Sequence, residues 1–324
     1  MKLNQFLKSA FRNIAVLAPV IILADPPFAR SEVLPIATTE PSRPPAAECN
    51  LNQPGAEPIQ ACTKIIDFPD TSSDDRAAAY TVRGLVYARA NQLSLALDDL
   101  KKADAIKPSP ALDTMIGMID INTSNSNEAI TYFSKVVDAG AATAEVFNLR
   151  GAAYQNNAQY EESIKDFNMA LQLNPKMIGA INNRGAAYAK QGNLDAALMD
   201  FKAVLAASPN DPLVLTNVCG IELSKGNVEE GARLCDQADK AAKESYFVQG
   251  ALGGTYYEVG QYKKALEHFS NAITLNPRDA RSLYMRGIVN AKLGNSDAAS
   301  MDKNAAALID SGIADFMTRN GVKE

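Results

Sequence analysis

From residue 77 to residue 313 the small, apolar and polar positions of the chain return with a 34-residue period. With the recurring glycine set as position 8, Gly117, Gly151, Gly185, Gly253 and Gly287 follow one another at intervals of 34, 34, 68 and 34 residues. Other residue types keep the same register. Position 11 holds Tyr87, Tyr154, Tyr188 and Tyr256; position 20 holds Ala96, Ala129, Ala197, Ala265 and Ala299; position 24 holds Leu100, Phe133, Phe167, Phe201 and Phe269; position 32 holds Pro108, Pro175, Pro209 and Pro277. Seven repeats result, at 77–109, 110–143, 144–177, 178–211, 212–245, 246–279 and 280–313. The Asn-Pro step at Asn174 pushes that residue out of the α region and predicts a helix boundary there. Upstream, PIQACTKIIDF (58–68) places Ile59, Cys62 and Ile66 at helical spacing, which predicts a truncated leading repeat over 47–76.

The repeats are not identical. The second has Asp120 where tyrosine recurs and Ala141 where proline recurs, with a long polar turn at 121–127. The last has Asn290 and Lys303 at positions 11 and 24, a pattern expected of a terminal unit that shows a polar face to solvent. A short charged tail, 314–324, has room for two helical turns.

Composition narrows the fold class. The 324 residues are 47% hydrophobic but only 7% aromatic, with no tryptophan, so an all-α fold is expected over an aromatic-rich sandwich. No run of Lys or Arg exceeds two residues and net charge is −5, which excludes the footprint of a nucleic-acid binder. The N-terminus has the layout of an export signal: Lys2, Lys8 and Arg12, then an uncharged stretch from Ile14 to Ala24 that is about half as long as a spanning helix requires. A signal peptide over 1–24, cut after Ala24 or Ala29, implies a periplasmic or secreted protein with no permanent membrane span, and its removal shifts net charge from −5 to −8. Residues 25–46 are rich in proline and lack apolar periodicity, as in a flexible linker.

The copies FNLRGAAYQNNAQYEESIKDFNMALQLNP (147–175) and INNRGAAYAKQGNLDAALMDFKAVLAASP (181–209) resemble the tetratricopeptide repeat, and the resemblance extends over 77–313. It implies a right-handed α-solenoid of helix-turn-helix units. Small residues at positions 8 and 20 let paired helices approach, aromatics at 11 and 24 fill the space between neighbouring pairs, and proline at 32 stops the second helix. ACTKII ahead of the first full repeat, together with a cysteine pair inside a later one, is similar to a group of exported bacterial members.

Four cysteines allow three pairings. In the register that the resemblance supplies, Cys219 and Cys235 fall at positions 8 and 24 of one repeat, on facing helix surfaces, and Cys49 and Cys62 face each other in the leading hairpin. The expectation is therefore Cys49–Cys62 and Cys219–Cys235, in an oxidising compartment. Four reduced thiols at buried small-residue positions are the alternative.

Catalytic chemistry finds no foothold. His268 is the single histidine and is expected on a part-exposed surface; phosphate-loop, nucleophile-elbow and zinc-protease motifs are absent from the sequence. Asp98-Asp99 and Glu161-Glu162 are expected on solvated helix faces. No cofactor and no metal are expected. The resemblance implies instead a protein or peptide partner held in a concave groove lined by positions 2, 5, 9 and 12. Carried over, these positions give a polar set of Glu145, Asn148, Gln155 and Asn182, and a more apolar set of Phe247, Tyr257, Arg281, Tyr284 and Ile288. Ala152 and Ala186 stand where carboxylate-gripping members carry asparagine, so a chaperone tail is disfavoured as the partner. A non-catalytic scaffold, monomeric or weakly oligomeric, is the leading expectation, with a self-assembling structural role in the cell envelope as the alternative.

Overall fold

The computed structural model describes residues 49, 50, 57–319 and 322. The expected signal peptide and linker lie outside the described residues. Among those described there are sixteen helices and no strand. The all-α, paired-helix architecture expected from the sequence is the one observed. α1 (Glu57–Asp67) precedes seven pairs: α2 (Ser73–Arg89) with α3 (Leu93–Ile106), α4 (Pro110–Asn122) with α5 (Ser126–Asp138), α6 (Ala144–Asn156) with α7 (Tyr160–Leu173), α8 (Ile178–Gln191) with α9 (Leu194–Ala207), α10 (Pro212–Ser224) with α11 (Val228–Ala241), α12 (Tyr246–Glu258) with α13 (Tyr262–Leu275), and α14 (Ala280–Lys292) with α15 (Ser296–Ile309). A short α16 (Ile313–Arg319) follows. The chain forms two compact units divided in sequence at Pro175/Lys176, the first holding α1–α7 and the second α8–α16.

Each pair is closed by the same turn. The residue at position 15 is left-handed in all seven: Asn91, Ser124 and Ala158 at φ of 57°, 63° and 58°, then glycine at 192, 226, 260 and 294. That conformation lets the N–H of position 16 donate to the carbonyl of position 11, as in Gln92 to Tyr87 and Asn193 to Tyr188, both 2.9 Å. Second helices end one or two residues ahead of the prolines at 108, 175, 209 and 277, which cannot continue a helix.

Inside the four pairs with phenylalanine at position 24 the ring lies on the position-8 glycine of the same repeat, not between neighbouring repeats as expected. A Cβ added at Gly151 would stand 2.7 Å from Phe167 Cε1, and one at Gly253 2.7 Å from Phe269 Cδ1. Phe133, Phe167 and Phe201 are fully buried there, beside Ala129, Ala170 and Ala197. In repeat 212–245 Cys219 and Cys235 take the place of this interlock and are joined as a disulfide, Cα–Cα 5.3 Å, while Leu100 and Lys303 stand at position 24 of the first and last repeats. Cys49 and Cys62 form the other, Cα–Cα 4.8 Å, so the expected pairing is the observed one. With sequence separations of 13 and 16, each bridge contributes about 3 kcal/mol by restricting the unfolded chain.

A second cross-link recurs sixteen residues apart. Arg83 with Asp99, Arg150 with Asp166, Arg184 with Asp200 and Arg286 with Asp302 each join position 7 to position 23 through two parallel N–H···O bonds of 2.7–2.9 Å. Asp99 is thus buried at 2% exposure, whereas the charge pattern predicts both Asp98 and Asp99 on a solvated face; Asp98 alone is exposed and pairs with Lys102. Where the arginine is missing its aspartate is missing too: the pair becomes Ile116/Tyr132, Val218/Leu234 and Leu252/His268. Exchanging both members avoids the cost of one buried, unpaired charge.

Candidate partner-binding surface

In the first unit, α6 carries the polar set. Thr143 caps the helix by accepting from the Val146 N–H, which fixes its start. One turn in, Glu145 is exposed and Asn148 half-buried, so both present surface to solvent. Gln155, expected beside them, is buried at 8% exposure. At the tip of the helix Asn157 donates to Asn127 Oδ1 (2.6 Å), tying the turn to the preceding repeat.

In the second unit, Asn182 on α8 is half-buried, and its amide oxygen is enclosed without a hydrogen-bond partner among the described residues. Phe247 and Tyr257 on α12 are half-buried: Phe247 meets Tyr246 edge-on at 6.4 Å, and Tyr257 lies 5.8 Å from Tyr262. Beside Tyr257, Glu258 interacts across the helix stack with Lys190 of α8.

Both members of that pair are crowded out of water. Burial raises the Glu258 carboxyl to about 8, with Lys190 opposing the rise, and lowers the Lys190 ammonium to about 8, with Glu258 opposing the fall. Between the ordinary carboxylate value of 4.5 and about 8, the folded chain holds a proton on Glu258 that the unfolded chain has released, so stability falls as pH rises. Between about 8 and 10.5 the unfolded chain holds a proton that Lys190 has lost, and stability recovers. The pair's contribution is lowest near pH 8. Thermal melts of Glu258→Gln should match wild type near pH 5 and exceed it near pH 8; a gap that does not change with pH would refute this assignment.

Tyr284 and Ile288 are a correction. Both were expected on the open groove, yet they are 4% and 1% exposed, in one core with Ile313, Met317 and Val322. α16 and Val322 lie on α14 and cover them; Arg281 stays exposed, with its guanidinium 5.0 Å from the Phe316 ring centroid. The terminal cap is therefore partly apolar. Asn290, expected to face outward, is buried and donates to Asp302 Oδ2 (3.2 Å), and Lys303 lies over the Tyr284 ring at 5.7 Å.

His268 is half-buried in a network that sequence reasoning missed. Its Nδ1 is 2.9 Å from Oε1 of fully buried Gln249, its ring stacks on Tyr256 at 5.3 Å, and Asn271 also donates to Gln249. Burial lowers its pKa, so the neutral ring is favoured. Gln249 donates in turn to Asp239 (2.5 Å), and the group as a whole is a satisfied internal network. Among the described residues no cluster of three or more His, Cys, Asp or Glu side chains is arranged to hold a metal ion.

No curated protein shows significant sequence similarity to the chain. A tetratricopeptide-repeat family model matches residues 150–216 and a second such repeat model matches 253–294. Among solved structures, a tetratricopeptide repeat protein from Parabacteroides merdae aligns with TM-score 0.64 at 18% identity, over 75% of this chain and 98% of that one. Yeast Tom70 aligns with TM-score 0.54 at 16% identity, over 82% and 60%. A chain of the APC/C hetero-tetramer Cut9–Hcn1 aligns with TM-score 0.53 at 17% identity, over 81% and 52%. At these identities the likeness is one of fold. Repeat register, paired helices, glycine–phenylalanine interlock and family models agree that the chain carries tetratricopeptide repeats, matched at 150–216 and 253–294.

Proposed function

We propose that this chain is a non-catalytic scaffold that binds a protein or peptide partner outside the cytoplasm. The observation that carries the reading is the half-buried set Asn182, Phe247 and Tyr257 in the second unit, a side-chain amide and two aromatic rings that all keep some surface open to solvent. An extended peptide supplies backbone groups to pair with the half-buried Asn182 side-chain amide, and apolar side chains to set against the rings. In the first unit Glu145 and Asn148 offer a polar surface of the same kind. One structural neighbour, the Cut9–Hcn1 hetero-tetramer, is itself an assembly of different proteins. Two disulfides and the signal-like N-terminus support an oxidising, extracytoplasmic location. No helix among the described residues is long and apolar enough to cross a membrane.

The test is cross-linking in cells. A photo-reactive residue at Phe247 should capture a discrete set of proteins, and Asn182→Ala with Tyr257→Ala should reduce that capture while leaving the melting curve unchanged. Capture that is indifferent to both substitutions in a folded chain would sink the proposal.

A further inference from the structure

Position 11 marks a slot beside the clamped position-7 and position-23 side chains, and in several repeats a tyrosine ring fills it. In repeat 246–279 the ring of Tyr256 stacks on His268 at position 23, has Lys264 Nζ of position 19 above it at 4.9 Å, and feels Asp236, position 25 of the repeat before. In repeats 144–177 and 178–211, Tyr154 and Tyr188 lie 5.8 and 6.0 Å from the guanidiniums of Arg150 and Arg184 at position 7. Where position 11 is Asp120, the second helix brings a ring instead: Tyr132, at position 23, lies 4.3 Å from Lys135 and 5.9 Å from Lys101, the position-25 residue of the repeat before.

The last repeat keeps the walls of this slot and lacks the ring. Asn290 stands at position 11, and the equivalent space is a cleft of about 290 Å³ whose lining includes Arg286 (position 7), Ala298 (19), Asp302 (23) and Ser270 (25 of the repeat before). Its rim is apolar, with Leu266 on one side and Met301, 72% exposed, on the other. Its floor is built and satisfied: Arg286 is clamped by Asp302 through two bonds, and Asn290 donates to Asp302 and accepts from Asn295. The Arg286 side chain is 25% exposed, against 14% and 21% for the ring-covered Arg150 and Arg184. A guanidinium held in this way attracts the negative face of an aromatic ring.

We propose that this cleft between α13, α14 and α15 is a docking slot for one aromatic side chain, tyrosine or phenylalanine, carried by a protein partner. The ring enters past Met301, lies over Arg286 as Tyr154 lies over Arg150, and completes from outside the packing that Tyr154 and Tyr188 complete from within. The slot is distinct from the surface on α8 and α12, so Tyr257→Ala leaves it intact.

The test uses the folded chain with ¹³C-methyl-labelled methionine, because a bound ring shifts the Met301 methyl resonance directly. Acetyl-Gly-Gly-Tyr-Gly-Gly-amide and its phenylalanine counterpart should shift that signal saturably, and the leucine counterpart should bind roughly tenfold more weakly. Asn290→Tyr should fill the slot from within, raise the melting temperature and abolish the response. Ala298→Leu, at an exposed position on α15, should narrow the mouth and weaken binding, and decides the matter in its place if Asn290→Tyr does not fold. The proposal is overturned if Met301 ignores the tyrosine peptide, if tyrosine and leucine peptides bind alike, or if folded Asn290→Tyr still responds.

Discussion

Asp166→Ala is expected to destabilise the chain by about 3–5 kcal/mol, because it strands the Arg150 guanidinium inside a helix pair. The two side chains are only 14% and 6% exposed and share two hydrogen bonds, so the charge left behind has little water to recover. The repeats themselves supply the rescue. Val218 and Leu234 occupy the same two positions in repeat 212–245 and are 2% and 6% exposed. The double variant Arg150→Val/Asp166→Leu should therefore lie within about 1–2 kcal/mol of wild type. Urea melts of the two single variants and the double variant form the cycle that checks this. Near-additive losses would mean that the bridge is not a unit of packing.

Phe201→Ala should cost a similar amount, about 3–5 kcal/mol, for an unrelated reason. The ring is fully buried against the Gly185 backbone, where an added Cβ would come within 3.1 Å of it, so its removal leaves a cavity between the two helices. Gly253→Ala attacks the same interlock from the other side. Its new methyl would sit 2.7 Å from Phe269 Cδ1, and overpacking of that kind costs about 1–3 kcal/mol. Thermal melts of both variants check the pair; a loss below about 1 kcal/mol for Phe201→Ala would show that the neighbouring helices close the space.

The 34-residue register was legible because glycine, alanine, phenylalanine and proline each answer a steric demand that recurs at a fixed place. The same register made Cys219–Cys235 readable, since positions 8 and 24 face each other in every repeat, and its extension upstream made Cys49 and Cys62 readable as the two sides of a leading hairpin. The Arg–Asp clamps were just as visible, as a sixteen-residue spacing repeated four times, but charge pairs read one at a time look like solvated surface, and Asp99 was misjudged for that reason. The groove positions were harder. Whether Tyr284 and Ile288 meet solvent depends on Ile313, Met317 and Val322, which obey no period, so the repeat rule that located the two residues could not show their burial. Asn290 looked like a polar cap because its neighbours were unknown; in the fold its amide is spent on Asp302 and Asn295.

The seven left-handed turns divide the molecule in a way that the helices do not. In the second unit every one is glycine, which adopts that backbone freely; in the first unit Asn91, Ser124 and Ala158 hold it with a side chain attached. For alanine the penalty is about 1–2 kcal/mol, and less for asparagine, which can bond locally. Held-in tension of this kind makes the three hairpin tips of the first unit natural starting points for local opening, and makes a glycine at position 158 the simplest single change by which that half of the protein would be hardened.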